Sequence, residues 1–181
     1  MSITQLITYI LEDNRRRRIF MRKSTSFLGL LAGLFSHISI ATGTYRLSHY
    51  FFCKRLGLIS KFFYALNITL FGLDISPMSE IGPGLVICHL VGNIIHAKIG
   101  KNALLYGQNV FGGGTKENDK GWYGGPIVGD NVTMYIGAKI LDTVKVGNNV
   151  SVGAASLVLD DVPDNKVVAG APARVIRENN G

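Results

Sequence analysis

From Asp74 to about Ile176, small and aliphatic residues return every six positions, and this period constrains the fold more than any other feature of the chain. One frame reads Ile75, Ile81, Ile87, Asn93, Ile99, Leu105 and Phe111. After a polar interruption a second reads Val128, Met134, Ile140, Val146, Val152 and Val158. Six fits neither the 3.6-residue turn of an amphipathic helix nor the alternation of a hairpin meander. It fits a parallel β-helix, in which three six-residue faces close one triangular coil and successive coils stack. The thirteen anchors make about four coils, enough to bury an aliphatic interior that a single coil could not.

The rest of the pattern follows from that geometry. Each anchor points inward and stacks on the anchor one coil away, roughly 4.8 Å along the axis. Corners turn tightly, so Gly, Asn and Asp collect there, as in Gly129-Asp130-Asn131 and Gly147-Asn148-Asn149. Gly follows many anchors directly (Gly82, Gly100, Gly129, Gly147, Gly153), and a small residue often stands four later, as at Val132, Val150 and Ser156.

The 181 residues suit one domain with an appendage, and the charge is divided between the two. Residues 1–73 hold ten Lys/Arg against two Asp/Glu; residues 74–181 hold nine against ten. The basic character therefore belongs to an N-terminal segment, 1–73, and not to the repeat, 74–176, which a short tail, 177–181, follows. Such an arm can serve nucleic acid, anionic lipid or solubility. Nucleic acid is not expected, because Arg15 to Arg18 lack interleaved aromatic residues. Cys53 and Cys88 have neither disulfide-framework nor zinc spacing, which points to a reducing compartment. Met1 to Asp13 lacks a basic head and a cleavage site, so a secretory signal is not expected.

Along the N-terminal segment, residues 3–11 suit a short helix. From Ser24 to Tyr45 there is no charged residue, a length that meets the ~20 residues of a membrane span. His37, four serines and several Thr and Gly residues dilute it, so helices packed on the protein fit better, with a peripheral helix on an anionic leaflet next. The aromatic residues from Tyr45 to Phe63 suit helices that cap the open first coil. In the repeat, residues 112–127 break the register with Gly112-Gly113-Gly114 and a polar run containing Trp122, the only tryptophan. An excursion of this length suits a functional loop, with Trp122 either a wall of a substrate pocket or a lid or subunit contact.

The order of motifs resembles the serine O-acetyltransferase branch of the hexapeptide-repeat acyltransferases. The residues that carry the likeness are Asp74-Ile75, Ile81-Gly82-Pro83-Gly84, His89 with Gly92, Gln108 to Gly113, Val146-Gly147-Asn148-Asn149 and Val168-Ala169-Gly170-Ala171-Pro172-Ala173. The likeness begins near residue 43 and includes Tyr45-Arg46 and His49. It implies a left-handed parallel β-helix with an N-terminal α-helical segment, a homotrimer, and acetyl-CoA bound in a groove between subunits. Short, basic-headed members of this kind are similar to the acetyltransferases of polysaccharide biosynthesis, which would place the chain in the cytoplasm, at the inner face of the membrane where the basic arm meets anionic lipid.

Acetyl transfer from a thioester to a hydroxyl needs a base and donors for the oxyanion. Taken bare, one histidine beside a repeat is more often structural. The resemblance makes His89 the base and Asp74 the carboxylate that orients it. It places Cys88 where serine-specific members carry an acid, and Gly124-Gly125 where they carry Arg-His, with Gly125 and Trp122 on the substrate side. A neutral acceptor such as a sugar hydroxyl then fits better than free serine, the alternative. Acetyl-CoA would lie along Gly137, Ala138, Gly153, Ala154 and Ala155, with Lys139 and Arg174 near its phosphates. For Lys139 and Arg174 a solvated surface position is the competing reading. Only His89 and His96 fall in the repeat, too few for a three-histidine zinc centre, and no metal is expected. A non-catalytic scaffold remains the other class of reading.

Overall fold

A computed structural model describes residues 1–113 and 125–179; Trp122 and Gly124 lie outside the described residues. Four helices, α1 (Ile3–Phe20), α2 (Phe27–Leu34), α3 (His37–Cys53) and α4 (Gly57–Phe71), precede a parallel β-solenoid of about five turns. Serine starts three of the helices. Ser2, Ser26 and Ser36 each accept from a backbone N–H three residues on, which satisfies a donor that the first turn leaves unpaired. Gly72, at φ +60°, ends α4 in the left-handed conformation and hands the chain to the first coil.

Each coil visits three faces in turn. The first face stacks β1 (Leu73–Ile75), β4 (Asn93–Ile95), β7 (Val110–Gly112), β10 (Lys139–Leu141) and β13 (Leu157–Val158). The second stacks β2 (Glu80–Ile81), β5 (Lys98–Ile99), β8 (Ile127–Val128) and β11 (Lys145–Val146). The third stacks β3 (Val86–Ile87), β6 (Leu104–Leu105), β9 (Thr133–Met134), β12 (Ser151–Val152) and β14 (Lys166–Gly170), with β15 (Ala173–Glu178) antiparallel at its end. The aliphatic anchors of both frames fill the prism interior, and Val162 and Val168 complete a fifth coil.

One anchor departs from the six-residue frame. Ile95, not Asn93, pairs with Ile75 below and Phe111 above in the inward column. The corner after β3 is two residues longer than its neighbours and the corner after β4 two shorter, so Ile87 still pairs with Leu105 eighteen residues on. The compensation hides the bulge from a simple count of six, and the bulged corner carries His89.

The helices close the first coil. Tyr45, fully buried, donates its hydroxyl to Ser79 O at 2.8 Å, and Ile38, Ala41 and Tyr45 share one core with Leu73, Ile75 and Ile81. Arg46 is also fully buried. It donates to Asp13 through Nε at 2.9 Å and Nη2 at 3.1 Å, and to the backbone oxygens of Ile81 and Gly82. The basic run is used internally as well: Arg16 donates to Gly84 O and Ala103 O, Arg17 to Gly33 O and Arg18 to Ser24 O. No single described helix is long and apolar enough to cross a membrane; α2 and α3 together pass by length and composition but meet at 72°.

Candidate active site

The corner between the third and first faces recurs once per coil, and its residues form an edge along the prism. From the first coil upward the edge presents Cys88–His89–Leu90, then Gly107–Gln108, then Ile136–Gly137, then Ala154–Ala155. Successive corners are joined by backbone bonds, Gly137 N to Gly107 O at 2.9 Å and Ala155 N to Ile136 O at 2.9 Å. His89 stands outside the prism, exposed to solvent. Its place over the next corner depends on Gly107: a Cβ there would come within 2.9 Å of His89 Cβ. At φ +133° Gly107 also has a backbone that other residues rarely adopt.

A cavity of about 680 Å³ opens at this corner. Leu70 and Phe71 of α4 wall it from one side and Leu90, Val91 and Ile136 from the other, while His37, Cys88, His89 and Gln108 supply its polar groups. Two contributors were missed by sequence reasoning. His37 comes from the first turn of α3, where only the Ser36 cap marks its position, and Gln108 sits at φ +54° in a corner turn. Burial pushes the Cys88 thiol up, away from the thiolate that nucleophilic attack requires. The lining therefore offers imidazole, thiol and amide groups in an apolar setting, which suits proton transfer from a small hydroxyl compound.

Asp74 lies on β1 beneath this corner, half-buried. Its Oδ1 accepts from the Tyr64 hydroxyl of α4 at 2.7 Å, and the two side chains His89 and Asp74 form no hydrogen bond with each other. Burial and the Asp74 carboxylate push the Tyr64 phenol up to about 12, so it remains a donor across the working range.

The residues assigned to acetyl-CoA fall on or beside the same edge. Gly137 (φ +72°), buried Ala138 and exposed Lys139 form the corner above Gln108, and Gly153, Ala154 and Ala155 the one above that. Arg174 lies on β15, fully on the surface, with Nη1 3.0 Å from Asp160 Oδ2. Gly125 is elsewhere: it is buried at the corner between the first and second faces, where a Cβ would strike the His96 carbonyl. His96 belongs to that corner too, so the two histidines of the repeat lie on different edges of the prism. Among the described residues no group of His, Cys, Asp and Glu is arranged to hold a metal ion.

No family model matches the chain. A serine acetyltransferase of Staphylococcus aureus (strain Mu50) is 33% identical over 175 residues, covering 96% of this chain and 76% of the relative. The crystal structure of Neisseria gonorrhoeae serine acetyltransferase superposes with a TM-score of 0.84 at 27% identity, covering 98% of this chain and 68% of that one. A serine acetyltransferase in complex with CoA gives 0.79 at 28% identity, covering 96% and 70%. These relatives favour the serine alternative over the sugar acceptor that the missing acidic and Arg-His residues suggest.

Proposed function

The chain belongs to the serine acetyltransferase family, and from that premise we propose that it transfers the acetyl group of acetyl-CoA to the hydroxyl of serine, with His89 as the general base. The observation that carries this reading is that His89 stands outside the prism on the edge that also presents Gly137 and Ala154–Ala155. The small residues Gly137, Ala154 and Ala155 let a pantetheine arm approach the backbone of these corners, and its thioester end would then point toward the imidazole. Lys139 and Arg174 would meet the phosphates. The Arg174–Asp160 pair is exposed and worth at most about 1 kcal/mol, so a phosphate can displace the carboxylate.

In the proposed reaction His89 takes the hydroxyl proton as the oxygen attacks the thioester carbonyl carbon. Collapse of the tetrahedral intermediate breaks the C–S bond, and the imidazolium returns the proton to the departing CoA thiolate. Asp74, held by Tyr64, is the proposed orienting carboxylate for the imidazolium that forms. The reaction is followed by CoA release with serine as acceptor. His89→Ala should lower kcat by about 10²- to 10⁴-fold, and an unchanged kcat would remove the base assignment.

A second reading rests on the cavity itself. Its described lining carries no carboxylate, ammonium or guanidinium, whereas a zwitterion is best held by counter-charges. A sugar hydroxyl is the acceptor that such a lining favours. Faster CoA release with a nucleotide sugar than with serine would select it.

We also propose that the chain works as a homotrimer, since exposed Val91, Ile94 and Ile136 flank the His89 edge as an apolar border. Sedimentation at three times the 19.7 kDa chain mass is the expected result, and a monomer would overturn it.

A further inference from the structure

The bulged corner that carries His89 is held from inside the prism by an amide. Asn93 is completely buried, in an interior otherwise lined mainly by Ile, Leu, Val, Met and Phe. A buried amide survives only if its donors and acceptor are satisfied, and all the partners of this one lie in corner loops. Its Nδ2 donates to His89 O and to Leu90 O, both at 2.7 Å, and its Oδ1 accepts from Asn109 N at 3.2 Å. Asn109, also completely buried, extends the connection. Its Oδ1 accepts from Gly107 N at 3.1 Å and its Nδ2 donates to Tyr135 O at 2.7 Å. Two internal amides thus tie together the loop of His89, the glycine it rests on, and the corner leading into Gly137.

We infer that Asn93 is a positioning residue for acetyl transfer, acting through the backbone of His89; the inference rests on His89 being the base. The two extra residues of this corner turn the carbonyls of His89 and Leu90 toward the prism axis, where they accept from Asn93. An aliphatic residue at 93 would fill the space but leave two buried carbonyls without that donor, and the loop would relax outward. The imidazole would move with it, and a shift of about 1 Å in a reacting group costs on the order of 10²-fold in rate.

The experiment is a cycle of Asn93→Val, His89→Ala and the double variant in the intact chain, assayed by CoA release. Asn93→Val is expected to lower kcat about 10- to 100-fold with the KM for acetyl-CoA changed less than about 2-fold, because the thioester groove lies on later coils. In the His89→Ala background the same substitution is expected to do nothing further. An unchanged kcat in folded Asn93→Val overturns the inference. So does an equal loss in the His89→Ala background, which would mark a general structural effect. Should Asn93→Val fail to fold, Asn93→Ala, which removes the donor without adding volume, carries the same cycle with the same two overturning outcomes. His89→Ala with wild-type kcat sinks the base assignment itself and the inference with it. An inert Asn93→Val beside an inactive His89→Ala sinks only the inference.

Discussion

Asp13 shows how a single residue outside the repeat can decide whether the repeat is capped. Its carboxylate is buried, shares two hydrogen bonds with Arg46 and accepts the Leu85 N–H of the first coil at 2.8 Å. Burial raises the carboxyl above its ordinary range, while the Arg46 guanidinium beside it pulls the other way. Arg46 in turn reaches the carbonyls of Ile81 and Gly82, so the pair joins α1, α3 and the prism at one point. Such a pair is weak evidence for net stability but costly to break from one side, because the surviving charge stays buried. Asp13→Ala should therefore lose about 3–5 kcal/mol in urea unfolding. Asp13→Ala with Arg46→Met should recover part of that loss, and a single variant as stable as the parent would contradict the account.

At the scale of the element, the corners explain both what the sequence made legible and what it concealed. The Gly129-Asp130-Asn131 and Gly147-Asn148-Asn149 turns announce a corner, and the structure shows why both residue types recur. Asn102, Asn131, Asn149 and Asn165 all take positive φ, and each Nδ2 donates to the next Oδ1 at 2.9 to 3.0 Å, a ladder running up one edge. Beside it a Cβ on Gly129 would lie 2.8 Å from the Gly147 carbonyl carbon, so successive coils approach too closely for any side chain. The His89 edge was legible only through the family resemblance. Eighteen residues on from His89 is Gly107, but Leu105 pairs with Met134 twenty-nine residues on, so a fixed count does not lead from Gly107 to Gly137 and Ala155. Asn93 was not legible. It falls in the six-residue frame as if it were an anchor, and a bulge offset by an equal shortening leaves no trace in the spacing. His37 and Tyr64 were hidden for a different reason, since nothing in a helix's own sequence says which coil it packs upon.

Over the whole molecule the excess of positive charge resides in the helices, and most of the arginine run is spent on backbone carbonyls of the chain itself. The junction between helices and prism thus combines a shared apolar core with ionic and polar groups, one of which is a half-buried histidine. His49 of α3 sits in that junction, its Nδ1 2.9 Å from Pro77 O in the turn after β1. Burial, the largest influence, lowers its pKa below the ordinary imidazole value, although the Pro77 carbonyl favours the charged form. Arg46 adds to the lowering and Glu80 opposes it. In the unfolded chain the ring gains a proton as pH drops through about 6.5. In the folded chain it stays neutral to lower pH, so over that interval the unfolded state binds more protons. Stability is then complete above about pH 6.5 and falls as pH decreases through the interval. Thermal midpoints measured from pH 7.5 down to 5.5 should decline, and His49→Gln, which keeps a donor for Pro77 O but cannot titrate, should flatten the decline. Parallel curves for the parent and His49→Gln would assign the acid sensitivity to other groups and leave the helix–prism junction without its titrating element.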